Sequence, residues 1–219
     1  MKIDTVIIIG LGSIGQHYYN YLKKKLKIII VDITKEKALF CREEGIKYFF
    51  STVNELKSAI KYPKKCLGVI SNWGPDHLKT VKDLSELGVK SMIIEKPMTT
   101  SIKDAYEIKK IEQEKNLKIN VHFRWSYLNL HSEIKNIINQ FELGEPKGFQ
   151  SLGGSLCIST GGVHWMDFAR KLFNTNPHRV TASLYSDKIN PRSSDFDYFG
   201  GCVIFDFNDS FIIEILHIL

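Results

Sequence analysis

Residues 3–15 read Ile-Asp-Thr-Val-Ile-Ile-Ile-Gly-Leu-Gly-Ser-Ile-Gly, a β-branched run that ends in a G-x-G-x-x-G hexad. A short continuous apolar run of this kind suits a strand buried on both faces, as in a parallel sheet covered by helices. The glycines divide the work of leaving that strand for a helix. Gly10 makes the tight turn, Gly12 lets a ligand approach the backbone, and Gly15 lets the helix pack on the strand. Ser13 and Ile14 then fall in the first helical turn, where open N–H groups and the helix dipole favour an anion such as a pyrophosphate. A second strand is predicted over 27–31, and Asp32 follows it directly. A carboxylate there accepts a hydrogen bond from a ribose 2′-hydroxyl and repels a 2′-phosphate. NAD is therefore favoured over NADP, with Lys35 and Lys37 nearby working against that preference.

The alternation continues. Further strands are predicted at 47–50, 66–72, 89–95 and 117–123, and helices at 14–24, 34–45, 53–60, 74–88 and 101–115. Thr34 and Ser101 serve as N-caps, and Asp76 as a cap or first-turn acid. Strands alternating with helices of this length imply an α/β fold with a doubly wound parallel sheet, placed at 1–124. After Trp125 the texture changes. Residues 128–141 are amphipathic, with Leu130, Ile134, Ile137, Ile138 and Phe141 on one side. Strand-like pieces follow at 147–156, 178–186, 200–207 and 210–218, interrupted by a helix at 161–173. Asn208-Asp209 reads as a hairpin turn. The expectation is an α+β second domain over 125–219 with a mainly antiparallel sheet.

Composition excludes more than it selects. No apolar run approaches the ~20 residues of a membrane helix. The opening Met1-Lys2-Ile3-Asp4 lacks the layout of a signal peptide. Cys41, Cys66, Cys157 and Cys202 form no Cys-x-x-Cys pair and read as reduced core thiols of a cytoplasmic protein. Charge is uneven: residues 1–125 carry 23 Lys/Arg and 14 Asp/Glu, residues 126–219 carry 7 and 10. The lysines are interleaved with glutamates on helical stretches, which argues against a nucleic-acid partner, while an anionic small ligand would gain from the field. No His/Cys/Asp/Glu set has metal spacing, and no Gly-x-Ser-x-Gly elbow occurs.

Three places could carry chemistry. Glu95-Lys96-Pro97 closes the fifth strand, and the carboxyl ends of parallel strands face the ligand crevice. Lys96 is thus a cation aimed at cofactor and substrate, or a strand-end lysine paired with a surface acid. His164, Asp167 and Arg170 recur at helical spacing after Gly161-Gly162. They make either a polar pair facing a crevice or an aspartate orienting a buried histidine. Asp76-His77 reads as a helix-start residue beside a packing or capping histidine, and His122 as core.

Taken in order, Gly10–Gly15, Asp32, Asn72-Trp73-Gly74-Pro75-Asp76-His77, Glu95-Lys96-Pro97 and Gly161-Gly162-Val163-His164-Trp165-Met166-Asp167 form a set. The set resembles the Gfo/Idh/MocA oxidoreductases, the glucose–fructose oxidoreductase and inositol dehydrogenase family. Glu-Lys-Pro is its most specific mark. The resemblance implies a Rossmann domain followed by an open, predominantly antiparallel sheet domain. It implies NAD(P)-dependent oxidation or reduction at a CH–OH group of a sugar, polyol or nucleotide sugar. Asn72, His77, Glu95 and Lys96 would lie on the cofactor side. Lys96 would also contact substrate and, with His164, act in proton transfer; Arg124 and Asp167 would be substrate-side residues. The ordinary histidine pKa of ~6.5 suits His164 to an acid/base role, and the charge of Lys96 would stabilise a developing alkoxide.

Two departures stand out. The family commonly has Asp-x-Gly-x-His where this chain has Thr160-Gly161-Gly162-Val163-His164, so a substrate-side Thr160, which takes no proton at neutral pH, replaces an acid. Members similar to surface-polysaccharide and nucleotide-sugar cluster enzymes also carry a small polar residue there. Relatives also add on the order of another hundred residues, so the second domain reads as incomplete. Its apolar 211–219 stretch resembles a central strand, and an uncovered edge or face is expected. Relatives pair through that sheet, which implies a homo-oligomer. The rival reading is a dinucleotide-binding paralogue without turnover. Thr160 and the early stop favour it; intact Lys96 and His164 favour the enzyme.

Overall fold

The β-branched runs form the sheet they suggest. In the computed structural model, which describes residues 2–153, 161–189, 198–207 and 210–216, six strands make one parallel sheet. They are Thr5–Ile9 (β1), Lys27–Val31 (β2), Phe49–Phe50 (β3), Cys66–Ile70 (β4), Ser91–Glu95 (β5) and Lys118–His122 (β6), in the order β3-β2-β1-β4-β5-β6. Helices Ser13–Leu22 (α1), Lys35–Glu43 (α2), His77–Glu86 (α3) and Ile102–Glu114 (α4) connect them. All five residues of β1 are buried, because helices cover both faces. Ile7, Ile9, Ile29 and Ile70 pack with Val81 and Leu84 of α3 and Ile108 and Ile111 of α4. Val6, Ile8, Ile30 and Val69 pack with Tyr19 of α1 and Cys41 of α2. This is the doubly wound arrangement, and its strand order reverses between β1 and β4, where such sheets open a crevice at their carboxyl ends.

Local chemistry sets the ends. Thr34 accepts the Lys37 N–H at 3.4 Å and caps α2, and Ser101 accepts the Asp104 N–H at 3.4 Å and caps α4. Asp76 makes no side-chain cap. The helix expected at 53–60 is a 3₁₀ helix, Val53–Ser58, which buries Val53 and Leu56. Residues three apart eclipse in that geometry, so both point inward.

The chain divides into two compact units, 1–122 and 123–219. The second contains helices Leu130–Gln140 (α5) and Val163–Leu172 (α6). Its strands are Gly148–Gly153 (β7), Arg179–Ile189 (β8), Tyr198–Phe207 (β9) and Ser210–Leu216 (β10). The sheet order is β7-β10-β9-β8, with β8/β9 and β9/β10 antiparallel and β10/β7 parallel. The apolar β10 is thus an interior strand, and β7 and β8 are the edges. Val203, Phe205 and Phe207, alternate residues of β9, are buried against Ala169 of α6 with Phe149, Met166 and Phe173. Residues 179–185 of β8 are all exposed, Val180 at 55% and Leu184 at 50%. The apolar stripe of α5 is covered less than its amphipathicity suggests. Ile134 and Ile138 are half-buried, while Leu130, Ile137 and Phe141 are exposed. The proposed turn at Asn208-Asp209 lies outside the described residues; pairing resumes at Ser210 opposite Phe207. No helix among the described residues is long and apolar enough to cross a membrane.

Candidate functional site

The three glycines of the hexad differ in what surrounds them. Gly10 has φ +85°, and a Cβ there would stand 2.5 Å from the backbone of Asn72. A Cβ on Gly15 would overlap the Gly10 carbonyl oxygen and stand 3.1 Å from Ser71 Oγ. Both positions are therefore demanded by the protein's own packing. Gly12 is not: its φ is −70°, and a Cβ there would meet nothing within 4 Å. The same residue begins α1 with no side-chain cap and no acid in the first turn. A helix start of this kind holds open N–H groups toward an anion.

Beside this loop, Asp32 ties the end of β2 to β1. Its Oδ2 accepts the Leu11 N–H at 2.7 Å, and its Oδ1 accepts the Thr34 N–H at 2.9 Å and hydroxyl at 2.8 Å. A carboxylate has about four acceptor positions, so one remains for a ribose hydroxyl. Ser71 donates to the Ile9 and Gly10 carbonyls at 3.1 and 2.8 Å and steadies the turn from below. Asn72 donates to Thr80 Oγ at 3.0 Å, and its Oδ1 is buried without a hydrogen-bond partner. A cleft of about 320 Å³ runs past Gly10, Gly12, Asp32, Asn72 and Trp73. Ile33 and Trp73, exposed at 86% and 51%, flank it with apolar surface. The open position over Gly12, the uncapped helix, the spare acceptor on Asp32 and the orphaned Asn72 oxygen fit a dinucleotide.

His77 is held by backbone carbonyls on both sides of its ring. It is 2% exposed, and its ring spans the carbonyls of Asn72, 3.1 Å from Nε2, and Met98, 3.0 Å from Nδ1. It braces the backbone under the cleft, so its expected role on the cofactor side is indirect. Glu95, 8% exposed at the end of β5, lies 2.6 Å from Nδ1 of His122, its direct partner in β6. The His122 ring meets Tyr18 of α1 edge-on at 5.6 Å. Lys96 follows, half-buried, at the carboxyl end of the sheet.

In the second unit, Arg124–Tyr127 is a 3₁₀ turn running beside α6. The Phe123 ring meets His164 edge-on at 6.1 Å, and Trp125 stacks on Trp165 at 5.1 Å. Ser126 Oγ donates to Asp167. Asp167 also pairs with Arg170 at 3.2 Å and Lys171 at 3.8 Å, and its side chain is only 10% exposed. Three partners within this unit thus engage its carboxylate. Arg124 is exposed, its guanidinium 5.7 Å from the Trp125 ring centroid. Thr160 lies outside the described residues.

The family model of the Gfo/Idh/MocA proteins, described as an oxidoreductase family with an NAD-binding Rossmann fold, matches residues 5–123. The chain belongs to the Gfo/Idh/MocA family. No curated protein matches it significantly in sequence. Among solved structures, an oxidoreductase from Klebsiella pneumoniae is 19% identical with a TM-score of 0.75, over 98% of this chain and 62% of that one. A protein from Desulfitobacterium hafniense, named as an NADPH-dependent oxidoreductase, is 17% identical with a TM-score of 0.81, over 99% and 68%. Myo-inositol 2-dehydrogenase from Lactobacillus plantarum is 15% identical with a TM-score of 0.82, over 99% and 70%. At these identities the likeness is one of fold. The chain spans 62–70% of the length of these three structures.

For a Gfo/Idh/MocA chain, several residues have contacts that their sequence positions did not announce. Ser71 and Thr34 hold the glycine turn and Asp32, and Ile33 lines the cleft. His122 was expected in the core and instead holds Glu95. The register of β5 and β6, which sets Glu95 opposite His122, is the signal that reveals it. Two cysteines supply no nucleophile: burial pushes the Cys41 and Cys66 thiols up to about 11, with Asp32 and Asp4 adding to it respectively. Among the described residues no His/Cys/Asp/Glu group could hold a metal ion.

Proposed function

We propose that this chain binds NAD across the carboxyl ends of β1, β2 and β4 and transfers a hydride at a CH–OH group of a sugar, polyol or nucleotide sugar. The observation that carries the reading is Gly12, which has no internal neighbour to account for it. A ligand that needs the backbone bare supplies the reason. The start of α1 takes the pyrophosphate, Asp32 the ribose, and Ile33 and Trp73 the faces of the purine. Asn72, Glu95 and Lys96 serve the nicotinamide side, with His77 bracing Asn72. Asp32 supports NAD over NADP, and Lys37 opposes this weakly because it pairs with Glu36 at 3.0 Å.

The nicotinamide supplies or takes the hydride when bound. His164 takes or gives the proton of the substrate hydroxyl, and Lys96 stabilises the alkoxide that develops as that proton leaves. Arg124 and Thr160 meet the rest of the substrate. The names of the inositol dehydrogenases among the similar structures support a polyhydroxylated substrate. The resemblance to polysaccharide-cluster enzymes supports the nucleotide-sugar class.

Fluorescence titration with NADH and NADPH tests the first half. NADH should bind more tightly, and Asp32→Ala should narrow the gap; equal or tighter NADPH binding removes the NAD assignment. A panel of free and nucleotide sugars, read by NADH absorbance, tests the second. Lys96→Ala and His164→Ala should abolish turnover and keep NADH affinity. A Lys96→Ala enzyme with a near-normal rate takes that residue out of the mechanism.

A further inference from the structure

Strands β5 and β6 finish side by side at the carboxyl end of the parallel sheet, and Glu95 and His122 are the last pair in their register. Residues opposite each other in paired strands project from one face. Met92 and Ile94 of β5 pack into the core under α3 and α4. Alternation therefore turns Glu95 to the other face, the one that α1 covers. Tyr18 of α1 marks the same side, since its ring meets the His122 imidazole edge-on at 5.6 Å. The Glu95 side chain is only 10% exposed there. The pair thus lies at the ligand end of the sheet, on the face of the helix whose first turn takes the pyrophosphate.

A carboxylate buried this far needs donors on both oxygens. Oε1 has one, Nδ1 of His122 at 2.6 Å. A carboxylate only accepts, so the imidazole donates in this bond. Oε2 has no donor among the described residues. A tether between two strand ends gains nothing from a buried carboxylate satisfied on one oxygen, and desolvating the other is unfavourable. A ligand that brings a donor to Oε2 removes that penalty. In sheets of this kind the dinucleotide lies across the switch point, so with its adenosine at Asp32 its other half extends over β4 and β5. The nicotinamide riboside half carries neutral donors, the ribose hydroxyls and the carboxamide N–H groups.

We infer that His122 is a positioning residue for the cofactor: by holding Oε1 of Glu95 it leaves Oε2 set to accept from the nicotinamide riboside half. This rests on the proposed function, because it concerns the same bound dinucleotide. His122 acts through Glu95, and the Tyr18 ring against its edge limits how far the imidazole can swing away.

Calorimetric titration with NADH, ADP-ribose and ADP tests this, because the three ligands share the adenosine and diphosphate and differ only beyond them. His122→Phe keeps a ring beside Tyr18 and removes the donor. It should weaken NADH by about tenfold and leave ADP unchanged. ADP-ribose tells which donor Oε2 meets: weakened together with NADH it names a ribose hydroxyl, and unchanged it names the carboxamide. His122→Asn, whose amide N–H stands near the place of Nδ1, should restore most of the NADH affinity. In a Glu95→Ala background His122→Phe should have no further effect, since the two residues act as one unit. If the phenylalanine variant does not fold, His122→Gln, which carries its amide one bond farther out, is read in its place. The inference fails if the variant weakens all three ligands alike, if it weakens none, or if its effect persists without Glu95. Failure of the proposed function reads differently: the unaltered chain then binds none of the three.

Discussion

A methyl group placed on Gly15 would collide with the Gly10 carbonyl, whereas the same group on Gly12 would point into open space. The two substitutions should therefore separate folding from binding. Gly15→Ala is expected to cost about 1–3 kcal/mol of stability, as overpacking does. Gly12→Val should change stability by no more than about 0.5 kcal/mol, as at an open surface position, and should abolish NADH binding. Urea melts paired with NADH titration read both; a Gly12→Val protein that unfolds would assign that glycine to packing. The turn at the hexad and the place of Asp32 at the end of β2 were legible because short spacings along one chain segment set both. The partners of Asp167 were not. Helical spacing placed it on the same face as His164, but Arg170 and Lys171 are equally near along the helix, and Ser126 reaches it from 41 residues earlier. No periodicity announces a partner at that separation. His122 was misread for a related reason, since its pairing with Glu95 comes from the register of two parallel strands and no tight turn sets that register.

Helices α1 and α2 are joined at one carboxylate. Glu44, the C-cap of α2, accepts from Tyr19 Oη and Lys23 Nζ of the α1 end, both at 3.0 Å and on the same oxygen. The hydrogen bond from Lys23, then that from Tyr19, holds the Glu44 carboxyl below its usual range. Burial, then Glu44, pushes the Tyr19 hydroxyl up to about 12, so it stays a donor. A carboxyl with a depressed folded pKa contributes stability that is complete above its unfolded value of ~4.3 and is lost as pH falls through the folded one. Glu44→Gln should therefore lower the melting temperature at pH 7, and the two melting curves should converge in acid. A gap that persists at low pH would mean the tether works by shape and not by charge. Most elements of the parallel sheet could be read from β-branched runs, caps and glycines. The 3₁₀ segment Val53–Ser58 could not, because apolar residues three apart suit both helix types. The α5 stripe was readable, but an amphipathic pattern does not say how completely a partner covers it.

Among the described residues, the two units differ in how thoroughly their sheets are covered. Unit 1–122 has helices over both faces of its sheet. In unit 123–219, residues 179–185 of the edge strand β8 are exposed, Val180 and Leu184 among them. An open edge of this kind offers unpaired N–H and C=O groups to another chain. Light scattering should find the 219-residue chain associated and a fragment of residues 1–123 monomeric, with a cooperative melt. A monodisperse monomer of the full chain would show that the edge needs no cover. The position of β1 has a consequence for synthesis as well. Thr5 pairs with Lys27 on one side and with Cys66 on the other. Among the strands of this sheet, the first in chain order is thus one of the two central ones, and the two flanks that enclose it arrive at different times. β2 can dock early, but the second flank of β1 stays bare until β4 emerges. During translation a strand buried along its whole length is the longest unsealed, and the pace at which residues up to Ile70 appear sets how long it needs protection from other nascent chains.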